Sequence, residues 1–273
     1  MTPQSAASSV DVPLAPQSGP QSARSGTDWR ALALFGAGFV LIWLVLDQTA
    51  TRTGSLYGQA GLFVCGATVA TAIAVEALLF RRPPRRALRE LGYGVPALRA
   101  LGAALTIGLL LLASLPLLAF LTGTSLALRA DWWWLAPGLF AQHGLAEETL
   151  FRGYAFRHLR VGRAFWPAAA LSLVPFVAIH VLLLAVLPLP LALTSVLVAV
   201  AFAFPAAYLF EGGRGTVWAP ALLHFTAHLP KLGEPEGFTL PLQLAWSVAV
   251  LAVPYLAFAF RLRPPARDTT SVR

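Results

Sequence analysis

The sequence contains little charge. Charged residues make up 12% of its 273 residues and apolar residues 57%, whereas an ordinary soluble domain has about 25% and about 45–50%. A chain of this composition lacks the polar surface that a water-soluble globule needs, which indicates a polytopic membrane protein. Cysteine is scarce as well. The single Cys65 excludes a disulfide framework and lies in an apolar run without Cys or His at metal-ligand spacing.

The apolar residues fall into eight segments that predict an all-α bundle of about eight transmembrane helices. A spanning helix needs about 20 apolar residues, and in lipid its backbone must satisfy its own hydrogen bonds. The seventh segment is short for a full span. The segments are Trp29–Leu46, Gly61–Phe80, Leu101–Leu121, Trp132–Phe151, Pro167–Leu187, Leu191–Phe210, Thr216–Leu229 and Leu240–Phe260.

Four regions follow from this pattern. Residues 1–28 are rich in Ser, Gln, Pro and Ala without an apolar period, which predicts a disordered tail. Three helices lie within 29–121, the remaining helices form a core within 122–260, and a second tail covers 261–273.

The basic residues predict how the chain is oriented. When the loops are assigned alternately to the two sides, 17 of the 20 Lys and Arg residues fall on the side of the two tails. Only Arg52, Arg129 and Lys231 fall on the other side. Because Lys and Arg are enriched in cytoplasmic loops, both termini are predicted to be cytoplasmic. Topology and contact with anionic lipid then explain the net charge of +8, and no nucleic-acid partner is predicted.

Ionisable side chains inside the bilayer mark a candidate site, because they are costly there and usually functional. Apart from Glu76, they occur in the fourth, fifth and seventh segments, which can bring them to one cavity in the cytoplasmic half or the middle of the bilayer. They are His143, Glu147 and Glu148, then His180, then His224 and His228.

Helical spacing indicates different roles for the two adjacent carboxylates, Glu147 and Glu148. Residues four apart share a helix face, so Glu148 can pair with Arg152, and His143 lies with Glu147 on a face about 100° away. Glu148 therefore has a cation of its own and is predicted to be structural. Glu147 is free to act on a water molecule as a general base.

These motifs resemble those of a known family. Residues 147–152, EETLFR, resemble the EExxxR motif of the CPBP intramembrane proteases. That family includes the CAAX prenyl endopeptidases and bacterial proteins linked to bacteriocin self-immunity. Phe176 and His180 match its FxxxH motif, and His224 lies at the place of its last motif, HxxxN or a variant. The resemblance covers roughly Trp132 to Leu229 and departs at His228, where the family often has Asn.

The resemblance implies an endopeptidase of the cell membrane, expected to be a bacterial inner membrane. Its substrate would be a membrane-anchored protein or peptide, hydrolysed near the cytoplasmic face. The implied roles are activation of water by Glu147, positioning of that water by His180, stabilisation of the oxyanion by His224 and His228, and maintenance of the motif's shape by Glu148 and Arg152.

The cofactor is left open by the sequence. The spacing of His224 and His228 suits paired metal ligands and paired hydrogen-bond donors alike, and His180 would complete a set of three zinc ligands. With zinc, Glu147 would deprotonate a metal-bound water. Without metal, Glu147 alone would generate the nucleophile, and the imidazoles would bind the oxyanion. His143 lies outside the family motif, and its membership of the site stays open.

Two other functions compete with proteolysis. A non-catalytic immunity or scaffold protein could keep the same fold, although the intact motifs count against it. A proton-coupled transporter could use buried Glu and His as a relay. Transporters of that kind are built from inverted repeats with paired broken helices, and the sequence has no convincing internal repeat.

Overall fold

The computed structural model describes residues 29–54 and 57–262. The tail predicted for 1–28 and nearly all of the one predicted for 261–273 lie outside the described residues. Within the described ranges the chain is helical and forms no β-strand, only an isolated antiparallel bridge between Leu128 and Gly233. The predicted all-α class is confirmed.

The helices alternate in direction along the chain. The α-helices are α1 (Trp29–Thr53), α2 (Tyr57–Leu79), α3 (Pro84–Glu90), α4 (Leu98–Leu121), α5 (Trp132–Leu139), α6 (Arg157–Arg160), α7 (Phe165–Val181), α8 (Leu189–Gly212), α9 (Trp218–His228) and α10 (Leu240–Ala252). Two π-helices are π1 (Phe140–Ala146) and π2 (Thr149–Phe156). Short 3₁₀ segments are Leu182–Ala185, Leu229–Leu232, Pro235–Gly237 and Val253–Phe260.

In the described part of the chain, six helices are long and apolar enough to cross a membrane. They correspond to six of the eight predicted segments and make this a multi-pass membrane protein. The other two segments are also helical. The fourth alternates between α- and π-helix, and the seventh forms α9 with only 11 residues. The count of eight spans and the orientation of the termini stay predictions.

The fourth segment forms a longer helix than predicted. It is helical without interruption from Trp132 to Arg160, through α5, π1, π2 and α6, and we call it the motif helix. The predicted end at Phe151 is wrong, because Arg152 does not mark the membrane surface. Arg152 is 2% exposed and pairs with a carboxylate inside the bundle. The basic end of this helix is α6, which carries Arg157 and Arg160.

Glycines hold the motif helix close to its neighbours. Gly138 in α5 meets Gly61 in α2, and a Cβ atom at either position would fall on the backbone of the opposite helix. Gly144 in π1 approaches the Ala221 carbonyl of α9, which would lie 2.9 Å from a Cβ. Small residues at such crossings let membrane helices pack backbone to backbone. The motif helix is thereby fixed between α2 and α9.

The bundle has two different ends. At the arginine-rich end, the fully buried Glu76 pairs with Arg157, accepts a hydrogen bond from His158 Nε2 at 2.8 Å and lies 3.4 Å from Arg82 Nε. Arg160 binds Glu211 at the same end. At the other end, which we call the far end, the bridge between residues 128 and 233 ties the start of the motif helix to the segment after α9.

The close crossing predicts that alanine substitutions at two glycines of α2 change the stability of the protein differently. Gly61→Ala should destabilise the protein by about 1–3 kcal/mol, the usual cost of overpacking, because the new methyl group meets backbone. Gly66 is the matched control, since nothing lies within 4 Å of its Cβ position. Gly66→Ala should leave stability unchanged or raise it by up to about 1 kcal/mol through helix propensity. Thermal unfolding of the purified protein in detergent measures both changes, and equal melting temperatures would contradict the close crossing.

Candidate active site

One large cavity brings the predicted polar residues together. Its volume is about 910 Å³. The ionisable side chains that line it come from the motif helix, α1, α7, α9 and the segment after α9. They are His143, Glu147, Asp47, His180, His224, His228 and Lys231. Five of these seven are the imidazoles and the carboxylate that the sequence placed in the membrane.

Glu147 is held by its helical neighbour. The His143 Nδ1–H group donates to Glu147 Oε1 at 2.6 Å, so the predicted pairing of these residues on one face is confirmed. On the other side of the ring, Lys231 Nζ donates to His143 Nε2 at 2.9 Å. The same ammonium lies 5.6 Å from the centre of the Tyr57 ring. A chain of contacts therefore leads from Lys231 through His143 to Glu147 and fixes the carboxylate.

Glu148 turns away from the cavity and pairs with Arg152, and that pair was predicted from the helical spacing. It is fully buried, does not line the cavity and accepts a hydrogen bond from Arg152 Nη1 at 2.9 Å. The same oxygen, Oε1, accepts a second hydrogen bond from His224 Nδ1 at 2.8 Å. Glu148 thus joins the motif helix to α9 and orients the His224 ring. The other ring nitrogen, Nε2, then faces Glu147 Oε2 at 3.6 Å.

The remaining imidazoles differ in how they are held. His228 is stacked on His143, with ring centres 4.1 Å apart, and lies 5.1 Å from the His224 ring. Among the described residues its side chain has ring contacts and no hydrogen bond. His180 donates Nδ1–H to the Phe176 carbonyl at 2.8 Å, which leaves Nε2 as a hydrogen-bond acceptor.

Three aromatic rings, with Arg152 behind them, close the cavity on the side of the arginine-rich end. The guanidinium carbon lies 5.0 Å from the centre of the Phe176 ring, 5.8 Å from that of Phe202 and 6.0 Å from that of Phe151. All three rings line the cavity and are no more than 3% exposed. The charge of Arg152 is therefore buried between a carboxylate and the faces of aromatic rings, an arrangement that favours a cation.

The depth of the site differs from the expectation in one respect. The sequence placed these groups in the cytoplasmic half or the middle of the bilayer, with Arg152 as the marker of the cytoplasmic end of the helix. The structure places Arg152 below the cavity and the arginine-rich end beyond it. His143 instead contacts Tyr57 and Lys231, which belong to the far end. The site therefore extends from the middle of the bundle towards the far end.

Two contacts of the site were not found from the sequence. Lys231 was counted only as a loop charge, and Tyr57 falls in a gap between predicted helices, yet both contact the His143 ring or its partner. Their separation from His143 in the chain gives no local spacing to detect. The one available signal was composition, because Lys231 is the single lysine of the chain.

The predicted zinc ligands were compared with the geometry. In residues 29–54 and 57–262, no group of three or more His, Cys, Asp or Glu side chains is arranged to hold one metal ion. His180 Nδ1 and His224 Nδ1 are each engaged by a protein oxygen. As arranged, His180, His224 and His228 do not fit a single metal centre, and no step below passes through a metal.

Together, the fold and the site define a multi-pass helical membrane protein with a carboxylate and four imidazoles around an internal cavity. Residues 129–229 match the type II CAAX prenyl endopeptidase Rce1-like family, which is a family of proteases. The match runs from just before the motif helix to just after α9, and it is to the family that the motifs resemble. A search of curated proteins finds no match to the chain.

Glu148 depends on its partner Arg152 inside the bundle, whereas Glu147 borders the cavity. The two sites therefore predict different losses of stability on substitution. Arg152→Met should destabilise the protein by about 3–5 kcal/mol, because Glu148 is then left buried without its cation. Glu147→Gln should change stability little, since its side chain borders a cavity. Arg86→Met is the matched control for loss of an arginine, because its pair with Glu90 is exposed and such pairs contribute about 0–1 kcal/mol. Thermal unfolding in detergent ranks the three variants, and an Arg152 variant as stable as the Arg86 variant would contradict the assigned role.

Proposed function

We propose that the protein is an intramembrane endopeptidase that hydrolyses a peptide bond of a membrane-associated protein or peptide. Glu147 is the general base, and the imidazoles around it position the water and stabilise the oxyanion. The observation that supports this most directly is the division between the carboxylates. Glu147 lines the cavity, whereas Glu148 is outside it and bound by Arg152 and His224.

The nucleophilic water binds beside Glu147. Glu147 Oε2 lies 3.6 Å from His224 Nε2, too far for a direct hydrogen bond, and accepts one hydrogen of the water that binds beside that ring. His180 keeps its proton on Nδ1 for the Phe176 carbonyl, so its Nε2 accepts a hydrogen bond from water and orients it. Glu147 removes a proton from this water as the oxygen attacks the carbonyl carbon of the substrate. The proton then passes from Glu147 to the leaving amine.

The oxyanion is bound from α9. The His228 side chain, which has no hydrogen bond to the protein in the described residues, donates its N–H to the developing negative charge. Its ring is held in place by stacking on His143. His224 is oriented by Glu148, and Glu148 in turn is held by Arg152. Glu148 and Arg152 therefore act by positioning His224 and do not touch the substrate.

The geometry gives less support to a mechanism with zinc bound by His180, His224 and His228, because the three imidazoles do not converge on one point. A metal-free mechanism needs only the carboxylate and the hydrogen bonds described above.

The mechanism predicts the effects of substitutions at Glu147 and His228. Glu147→Gln should lower cleavage by about 10²–10⁴-fold, the usual contribution of a general base. His228→Asn should keep most activity, because the amide also donates a hydrogen bond, whereas His228→Ala should lose it. The readout is the set of new peptide termini in the membrane proteome of cells that produce each variant. The exposed Glu236→Gln is the control, and full cleavage by the Glu147 variant would overturn the mechanism.

Metal analysis tests the cofactor directly. Purified active protein should contain less than one zinc ion per chain, and cleavage should survive a strong chelator. Loss of cleavage on chelation that zinc restores would contradict this and return His180, His224 and His228 to the role of metal ligands. The measurement is elemental analysis beside an activity assay on the same sample.

A further inference from the structure

We propose that the catalytic cavity opens on the extracytoplasmic side of the membrane and takes an unfolded polypeptide segment presented from that side. The inference rests on the proposed function and adds to it the side of attack and the class of substrate. It follows from three observations: which halves of the helices line the cavity, how exposure changes along its walls, and where the basic residues lie.

The cavity is lined by the halves of the helices that lie towards the far end. In α1, which starts at Trp29, the lining residues run from Trp43 to Thr51. In α8 and in the apolar span 240–260 that begins with α10, both of which run in the opposite sense, the lining residues belong to the first part of the span. They are Leu191, Thr194, Ser195, Val198, Ala199 and Phe202 in α8, and Gln243, Trp246, Ser247 and Val250 in α10.

Exposure of the walls rises towards the same end. Along α7 and the segment after it, the lining residue Phe176 is 3% exposed, Leu182 is 55% exposed and Val186 is 74% exposed. Thr51 and Lys231 are also exposed lining residues. In the other direction the wall ends at the buried rings of Phe151, Phe176 and Phe202, and Arg152 lies behind them. The mouth of the cavity is therefore at the far end, and its floor faces the arginine-rich end.

The basic residues assign the floor to the cytoplasmic side. Arg82, Arg157 and Arg160 lie at the arginine-rich end in ion pairs with Glu76, Glu90 and Glu211. Moving Arg152 into the interior takes one residue from the 17 assigned to that side and leaves the bias against three basic residues intact. Since Lys and Arg accumulate in cytoplasmic loops, the arginine-rich end is cytoplasmic.

The aromatic residues agree with a membrane that lies between the two ends. Trp132, Trp133 and Trp134 are 44%, 64% and 44% exposed at the far end, whereas Trp29 and Trp166 are 72% and 58% exposed near the arginine-rich end. Exposed Trp at both ends is typical of the two interfaces of a spanning protein. The mouth of the cavity thus meets the outer interface.

Two expectations from the sequence are incompatible in this fold. One places the basic loops in the cytoplasm, and the other, implied by the family, places cleavage near the cytoplasmic face. The mouth and the basic loops lie at opposite ends, so only one of the two expectations can be correct. We favour the first, because it rests on the charges of this chain.

The cavity also limits the form of the substrate. Its volume of about 910 Å³ is within the range of small-ligand pockets, about 300–1,000 Å³, and is too small for a folded domain. Leu, Val, Ile and Phe side chains supply much of its wall. The chemistry fits a short, extended, mainly apolar segment, such as the stretch next to the lipid or membrane anchor of a protein whose folded part lies outside the cell.

Cysteine labelling of intact cells tests the side of the mouth without any need for activity. In a Cys65→Ala background, Val186→Cys reports the mouth, Ser195→Cys the cavity wall and Arg85→Cys the arginine-rich end. A membrane-impermeant maleimide added to intact cells should label the first two, and should label the third only after the cells are permeabilised. The reverse pattern would overturn the proposal.

The substrate class is tested separately by the proteome of cells that produce Glu147→Gln. Peptide termini that disappear in this variant should map to the extracytoplasmic part of membrane-anchored proteins. Termini that map to cytoplasmic segments would overturn the inference. If Val186→Cys is labelled from outside and no termini depend on Glu147, the proposed function fails, while the orientation of the cavity stands.

Discussion

The shared carboxylate of Glu148 is the interaction on which the site depends. It is fully buried and accepts hydrogen bonds from Arg152 on its own helix and from His224 on α9. A buried carboxylate is costly unless it is paired, so the cation and the imidazole are both needed where they are. Because one oxygen receives both donors, the position of α9 along the motif helix is specified by charge as well as by packing. The positions of His224 and His228 relative to Glu147 follow from this register.

Close packing at glycines also fixes the position of the motif helix relative to its neighbours. Gly144 lets the backbone of α9 approach π1, and Gly138 lets α2 approach α5, so the motif helix has no freedom to slide. The same helix contains two π-helical stretches, an arrangement that is rare and frequent at functional sites. Wide helical turns shift side chains around the axis without ending the helix. Glu147 and Glu148 lie between the two stretches, where the helix returns to α geometry.

Helical spacing was enough to predict the pairs within one helix. The contacts of His143 with Glu147 and of Glu148 with Arg152 follow from residues four apart, and the composition was enough to predict a helical membrane protein. Helical spacing could not predict which side chains contact each other across two helices. Lys231 contacts His143 from another element, and no local pattern in the sequence predicts a partner so distant in the chain. Arg152 was misplaced for a related reason: the sequence shows a positive charge, but not the Phe176 and Phe202 rings that make its burial possible.

The shortness of α9 has a consequence for how the protein is assembled. With 11 residues, two of them histidines, this helix has too little apolar length to be retained in a bilayer by itself. Its two histidines contact side chains of the motif helix and line the cavity. During synthesis, α9 therefore inserts into the membrane together with, or after, the helices that it packs against. Correct insertion and completion of the site are then a single event, so an incompletely inserted chain carries no formed site.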